Sequence, residues 1–427
     1  MSQLKPPLSK AIILVSRIEF LSKIKCVMNK YLLVCLVFLL IIMLMISNAL
    51  HGTPSVAYLT LDLIDGAGLY KTQLPNGNEA YLQTINLRKM QMDQIIGEMD
   101  EIGFDDGKYY RENGSYYSPY FQMKLFSDVW NEYKLLYGKQ VFSMMNCAFF
   151  EDYKSSTQLA FPVKLNGQVI TAGSSPYGPF SQAANDYYKG IKLKALVWND
   201  EGAYITDYDP KRGSPLDKPT VQNAIVSYSY SDHPAKVLGK NQANKYHVIG
   251  TLNKDNAPGD ELILIVTVNK ATLDEAADLL RKLGVRGDIL TVDGGSSTFI
   301  TNPRTGNLIA PQPVNMKDNP NAWNLPHYLG FRKKGNSKEP PKIALSQPAN
   351  TIEIKPKFPY LILWRDNVAD DVKIELYEGS KLAKTIASKT ASDGVFEWTP
   401  ETPIVPQSVI RVTSLKHKNV FGSLLLK

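Results

Sequence analysis

Cysteine is nearly absent from this chain of 427 residues: only Cys26, Cys35 and Cys147 occur, alongside five histidines. No Cys or His cluster has metal-ligand spacing, so no metal is assigned. Beyond residue 50 Cys147 stands alone. That part therefore forms no internal disulfide and must rely on the size of its core. An exported bacterial envelope protein fits this better than an animal secreted enzyme. Internal repeats and long low-complexity stretches are absent as well. Basic character is scarce outside the N-terminus: Lys5, Lys10, Arg17, Lys23, Lys25 and Lys30 face only Glu19 there, leaving +2 of the net +7 for residues 31–427. A folded part so nearly neutral lacks the basic stripe of a nucleic-acid protein, so no nucleic-acid partner is expected.

Charge is missing altogether from Tyr31 to Ile46, YLLVCLVFLLIIMLMI. At about 1.5 Å per residue this run, extended by Ser47 to Leu50, matches a bilayer core of roughly 30 Å. Basic residues precede it and none follows until Lys71. By the positive-inside rule the body is translocated, so the expected location is outside the cytoplasm, membrane-anchored or secreted. Small residues at Ser47-Asn48-Ala49 allow cleavage after Ala49, and Met28 opens a second signal-like stretch. Residues 1–30 then form a basic cytoplasmic segment, and 31–50 a signal peptide or membrane anchor.

Alternating runs such as Val56 to Leu61 and Tyr81 to Leu87 read as strands, Tyr109 to Tyr120 as a loop, Ser127 to Tyr137 as a helix and Gln140 to Met145 as a strand. The clearest unit is Leu262 to Ile300. Leu262 to Val268 is a continuous apolar run, suited to a strand buried on both faces. Thr272-Leu273-Asp274-Glu275 is a capping box, Leu273, Ala276, Ala277, Leu280 and Leu283 share one helical face, and Gly284 ends the helix. Ile289 to Val292 is a second buried strand. Strand, helix and strand predict a βαβ unit with a parallel pair. Gly335 to Lys342, GNSKEPPK, reads as part of a linker, 333–342. Beyond it, short strands at Tyr360 to Trp364, Val372 to Tyr377, Val395 to Trp398 and Val409 to Thr413 predict a small all-β sandwich over 343–427. The expected fold class is thus a mixed-sheet α+β domain containing a βαβ unit, a β-sandwich and one N-terminal transmembrane or signal helix.

The second strand of that unit ends in Asp293-Gly294-Gly295-Ser296-Ser297-Thr298. A carboxylate at a parallel strand's C-terminal end lies where open α/β sheets bind ligands. The glycines permit a sharp turn and close approach, and the hydroxyls suit sugar or phosphate oxygens. Asn146 ends another strand, within Asn146-Cys147-Ala148-Phe149-Phe150, and can donate and accept. Cys147 has no local base and reads as a small buried thiol.

Together these segments resemble the phosphodiester glycosidase family, of the N-acetylglucosamine-1-phosphodiester alpha-N-acetylglucosaminidase type, over residues 55–332. That family shows an Asn-Gly-x-Phe-Phe block, a Gly-containing strand opened by Arg, a capped helix ending in Leu-Gly and an Asp-Gly-Gly-Gly-Ser-Ser turn. Asn146, Phe149 and Phe150 match the first block, Ile249 and Gly250 the strand, Thr272 to Gly284 the helix, and Asp293, Gly294, Gly295 and Ser297 the turn. Cys147 and Ser296 replace glycines, and Tyr246 stands in place of the Arg. The stretch from Val372 to Trp398 resembles the Ser-Thr-rich cell-wall-associated β-sandwich domain of surface proteins; Trp398 itself reads as core.

The resemblance implies an exported glycosidase that cleaves a sugar joined through its anomeric carbon to a phosphodiester, in envelope or exopolysaccharide metabolism. Asp293 would be general acid or nucleophile, with Glu151 or Asp152 as second carboxylate. Asn146, His247, Gly294, Gly295, Ser296, Ser297 and Thr298 would bind the sugar or phosphate. No cofactor is implied, with a divalent cation such as calcium left open. Expected partners are a carbohydrate or glycosyl-phosphate substrate, the membrane through 31–50, and cell wall or polysaccharide through the C-terminal domain. The alternative is an inactive glycan-binding or polysaccharide-assembly protein that kept the fold after losing the Arg; a third reading is an anchored structural protein.

Overall fold

Short stretches of alternating side chains separated by tight turns dominate the chain, and they fold as β-strands. The computed structural model describes residues 57–98, 119–151, 155–173, 192–237, 242–255, 257–302, 304, 324–348 and 353–426. The N-terminal hydrophobic segment, the loop expected at Tyr109 and Asp152 lie outside the described residues. Among those described, no helix is long and apolar enough to cross a membrane.

Two sheets frame the site. One has six strands in the order Leu59–Ile64, Ala67–Gln73, Glu79–Asn86, Leu262–Ala271, Asn244–Leu252, Ile289–Val292. The other has four, in the order Ile300–Thr301, Val141–Asn146, His327–Lys333, Met90–Ile96. Ile85, Ile249, Ile265 and Leu290 of the first sheet share one core with Met92, Met145, Leu329 and Phe331 of the second. Burial of such side chains contributes roughly 1.5–3 kcal/mol each, and this is the main stabilising term. Between the sheets the buried Ser143 hydroxyl donates to Gln83 Oε1 at 2.5 Å, which satisfies two groups that burial would otherwise penalise. A five-stranded sheet, Gln168–Thr171, Val163–Leu165, Asn223–Tyr228, Leu193–Trp198 and Ala203–Asp207 in that order, lies alongside.

The mixed α+β class with a parallel pair is not what forms. The described chain is mostly β with three α-helices, Phe126–Tyr137, Pro234–Val237 and Leu273–Lys282, and the pairings between its strands are antiparallel. Leu262–Ala271 and Ile289–Val292 run in the same direction but never touch as a pair. Asn244–Leu252 lies between them and pairs antiparallel with both, Val248 opposite Val266 on one side and Thr291 on the other. An apolar run reports that both faces of a strand are covered; it carries no information on which strand sits beside it. The connecting helix is as read. Thr272 caps it, accepting from the Glu275 amide at 3.2 Å while Glu275 Oε2 accepts from the Thr272 amide at 2.8 Å. Leu273, Ala276, Ala277 and Leu280 are buried beneath it.

After residue 342 come a three-stranded sheet, Ile343–Gln347, Tyr360–Asp366 and Val395–Trp398, and a four-stranded one, Lys381–Thr390, Val372–Glu378, Val409–Ser414 and Phe421–Leu425. Ile362, Trp364, Ile374, Leu376, Trp398, Ile410 and Val412 fill the space between them. Residues 58–427 pack as one compact unit. At the seam the Tyr137 hydroxyl donates to the Asp366 carbonyl at 2.6 Å, and Arg365 meets Glu132 at 2.7 Å. A cavity of 640 Å³ opens there, lined by Asp93, Asn166, Arg332, Trp364, Arg365 and Asp366 among others.

Candidate functional site

Three strands converge on one buried polar network, two of them at their ends and one from its interior. Val141–Asn146 is buried throughout and delivers Asn146. Asn244–Leu252 delivers His247, and Ile289–Val292 delivers Asp293. Asn146 is the hub. Its Nδ2 donates to the Asp293 carbonyl at 2.7 Å, and its Oδ1 accepts from the Phe299 amide at 2.8 Å. These two backbone partners fix the amide orientation, because a carbonyl only accepts and an N–H only donates. His247 Nε2, 2.8 Å from the same Oδ1, must then carry the hydrogen, and His247 Nδ1 accepts from Thr267 Oγ1 at 2.8 Å. The imidazole is neutral, its pKa pushed down to about 3 by burial.

Asp293 is anchored from below: its amide donates to the Cys147 carbonyl at 2.8 Å. Its carboxyl accepts from the Ser297 side chain and the Gly294 amide, yet burial outweighs both and pushes its pKa up to about 7. Oδ2 is buried and has no partner, and so is Thr298 Oγ1. An unsatisfied carboxyl oxygen costs stability unless something else binds it, which makes it a candidate for chemistry.

The turn that follows needs its glycines. A Cβ on Gly294 would sit 2.8 Å from the Lys245 carbonyl oxygen, and Gly295 holds φ +63 at the head of the 3-10 turn Gly295–Ser297. Gly294, Gly295 and Ser296 are half-buried, whereas Ser297 and Thr298 are fully enclosed.

The expected site residues thus separate into two groups. Asn146, His247, Asp293 and the turn Gly294 to Thr298 come together. Glu151 is exposed on the turn beyond Phe150, its amide donating to the Gln158 carbonyl at 3.1 Å. Asn146 and His247 are 1% and 0% exposed and consumed by the network, so they stand behind the turn rather than on its open side. Cys147 is buried, and burial, reinforced by the Asp293 charge, holds its thiol well above the usual range. It is no nucleophile.

Sequence reasoning missed an aromatic wall. Tyr246 lies next to Gly294, its Cδ1 3.6 Å from where a Cβ would be. His233 packs edge-on to Tyr246 (5.9 Å between centroids) and Tyr228 (5.3 Å), and Phe149 packs against His233 and Tyr228 at 5.9 and 5.3 Å. Phe149 and His233 remain half-exposed. Burial pushes the His233 pKa down to about 4. The four rings come from three stretches of chain, around Phe149, Tyr228 to His233, and Tyr246, and leave no local pattern to read. His327 was missed as well: its carbonyl accepts from the Cys147 amide at 3.2 Å, its pKa is pushed down to about 3 by burial, and neither ring nitrogen has a partner. Among the described residues no cluster of His, Cys, Asp or Glu could hold a metal ion.

No protein-family model matches the chain, and no curated protein matches it. Among solved structures, it is similar to the catalytic domain of zebrafish N-acetylglucosamine-1-phosphodiester alpha-N-acetylglucosaminidase, auto-inhibited by its pro-peptide, at 11% identity and a TM-score of 0.39, covering 66% of this chain and 85% of that one. A hypothetical protein from Synechocystis is similar at 11% identity and a TM-score of 0.37; the match covers 66% of this chain and only 64% of that protein's length. A Burkholderia pseudomallei protein described as exported is similar at 9% identity and a TM-score of 0.33, covering 62% and 74%.

Proposed function

We propose that this chain is an exported glycosidase that cleaves a sugar joined through its anomeric carbon to a phosphodiester, in cell-envelope or exopolysaccharide metabolism. The observation that carries this reading is the Asp293 carboxyl, held at a strand end above a glycine turn with Oδ2 unpartnered. A pKa of about 7 lets the group stand in either form near neutral pH. Protonated, it can give its proton to the departing phosphate oxygen as the anomeric carbon–oxygen bond breaks. Ionised, it stabilises positive character at that carbon. Water completes the sugar product, its second proton leaving through a base; Glu151 or Asp152 is the assigned second carboxylate. Ser296 and the turn amides face the phosphate or sugar oxygens, with Phe149 and His233 as ring faces for the sugar. Asn146 and His247 act by positioning Asp293. Residues 31–50 deliver the protein through the membrane.

A second reading, a glycan-binding protein without turnover, is favoured by Tyr246 standing where the resembled family has Arg. The side chain next to Gly294 then brings no positive charge to a phosphate.

The test is a screen of the full chain against anomerically linked sugar phosphodiesters, followed by Asp293→Asn. The amide keeps the shape and removes the ionisable group. Turnover should fall by about 10²–10⁴-fold with the melting transition retained. An Asn variant within a few-fold of wild type removes Asp293 from the mechanism. Binding without turnover across the panel establishes the second reading.

A further inference from the structure

The C-terminal sandwich carries a site that the proposed hydrolase reading leaves unused. In its four-stranded sheet Val372, Ile374 and Leu376 are buried in the core, while Lys373, Glu375 and Tyr377 alternate with them along the strand, Glu375 itself being buried. On the neighbouring strand Ile410 and Val412 are inward and Arg411 and Thr413 outward. Register sets Arg411 opposite Glu375 on one side and Ser423 on the other. The ion pair this arrangement invites does not form. Glu375 is taken by Lys373, 2.8 Å away, and by the Tyr377 hydroxyl, which donates to it at 3.0 Å. Among the described residues Arg411 has no ion-pair partner, and its Nε is buried with no hydrogen bond.

Two rings instead hold the guanidinium in place. Its centre lies 4.5 Å from the Tyr377 ring centroid and 4.4 Å from that of Phe421. Clamping by two rings fixes the plane of the fork and pre-organises its N–H edge without neutralising the charge. The clamp lies in a groove of 470 Å³ that also takes in Lys373, Thr413, Lys418 and Asn419. Three cations line this groove against the single carboxylate of Glu375, which Lys373 already neutralises. Phe421 is 46% exposed at its rim.

We propose that this groove binds an acidic polysaccharide of the uronate type, with Arg411 pairing to a sugar carboxylate and Phe421 lying against a sugar face. A planar carboxylate matches the fixed guanidinium edge in two parallel hydrogen bonds. An aromatic ring at the rim gives apolar surface to a sugar's C–H face, which a bare anion would not use. Thr413 and Asn419 supply neutral hydrogen-bonding groups for hydroxyls, and the groove is of the size that small ligands occupy. An uncharged glycan brings no counter-charge to the guanidinium and gains less here than an anionic one.

Titration calorimetry of the chain with a short oligogalacturonate tests this, with a neutral dextran oligomer and inorganic polyphosphate as the other two probes. Oligogalacturonate should bind and dextran should not. Arg411→Gln should weaken binding at least ten-fold, and Phe421→Ala several-fold, each with the melting transition checked. Raising the salt to screen the pair should weaken it further. If Arg411→Gln does not fold, Phe421→Ala and the exposed Lys418→Ala carry the test, and each should still weaken binding. The proposal is overturned if oligogalacturonate does not bind, if the variants bind as wild type does, or if polyphosphate binds as tightly and is indifferent to Phe421.

Discussion

Two polar sites in this protein show opposite solutions to the same problem. Beneath the glycine turn, Asn146, His247 and Asp293 are withdrawn from water, and burial shifts both titratable groups toward their neutral forms: the carboxyl up to about 7, the imidazole down to about 3. On the outer sheet face of the C-terminal sandwich, the Arg411 guanidinium is held between two rings, and among the described residues it has no ion-pair partner. The first arrangement suits moving a proton, because a neutral group near its pKa exchanges readily at physiological pH. The second suits holding an anion, because the charge is permanent and its plane is fixed. Burial tunes a group's chemistry; clamping between two rings fixes the direction of a charge.

Breaking the buried network should have the largest effect. Asn146→Ala removes three hydrogen bonds at once and leaves the Phe299 amide, the His247 N–H and the Asp293 carbonyl in a dry interior. With each orphaned group costing about 1–3 kcal/mol, the loss should be on the order of 4 kcal/mol, read as a drop in the denaturant midpoint. An intermediate effect separates the two sites by pH. Because the Asp293 pKa is raised on folding, the folded chain binds the proton more tightly than the unfolded chain does. The stability this adds is full below the unfolded value near 4 and is lost as pH rises through about 7. Asp293→Asn abolishes that dependence, so the variant should gain on wild type by roughly 3 kcal/mol between pH 5 and pH 8. Thermal melts across that range check the sign; a constant difference would mean the carboxyl is not shifted. The smallest effect belongs to the exposed face. Lys418→Ala should change stability by less than about 0.5 kcal/mol in the same melts, since an exposed side chain on a turn adds little to folding.

Much of the buried site was legible because it is written in short, local patterns. The capping box at Thr272 and the strand-ending Asp293-Gly294-Gly295 need only neighbours in the chain, and they form as read. The roles of Asn146 and His247 were not legible. As sequence, Asn146 is a polar residue at a strand end and His247 a lone histidine, both expected to meet a ligand; in the fold they meet each other, and Asn146 meets the Asp293 carbonyl, because their strands converge. The aromatic wall of Phe149, Tyr228, His233 and Tyr246 was invisible for the same reason, its members coming from three separate stretches of the chain.

By itself the sequence determined several of the strands, among them Leu262–Ala271 and Ile289–Val292, where the capped helix starts, and that an Asp sits at a strand end before a tight turn. These follow from periodicity, capping chemistry and backbone freedom, all of which act over a few residues. Tertiary structure alone decided that Asn244–Leu252 inserts between the two strands expected to pair, that Asp293 is desolvated enough to hold its proton near neutrality, and that Arg411 goes without the partner opposite it. Strand neighbours, burial and the competition for one carboxylate are set by groups far apart in the chain. Dielectric and hydrogen-bond satisfaction are properties of the packed surroundings, not of the residue that feels them.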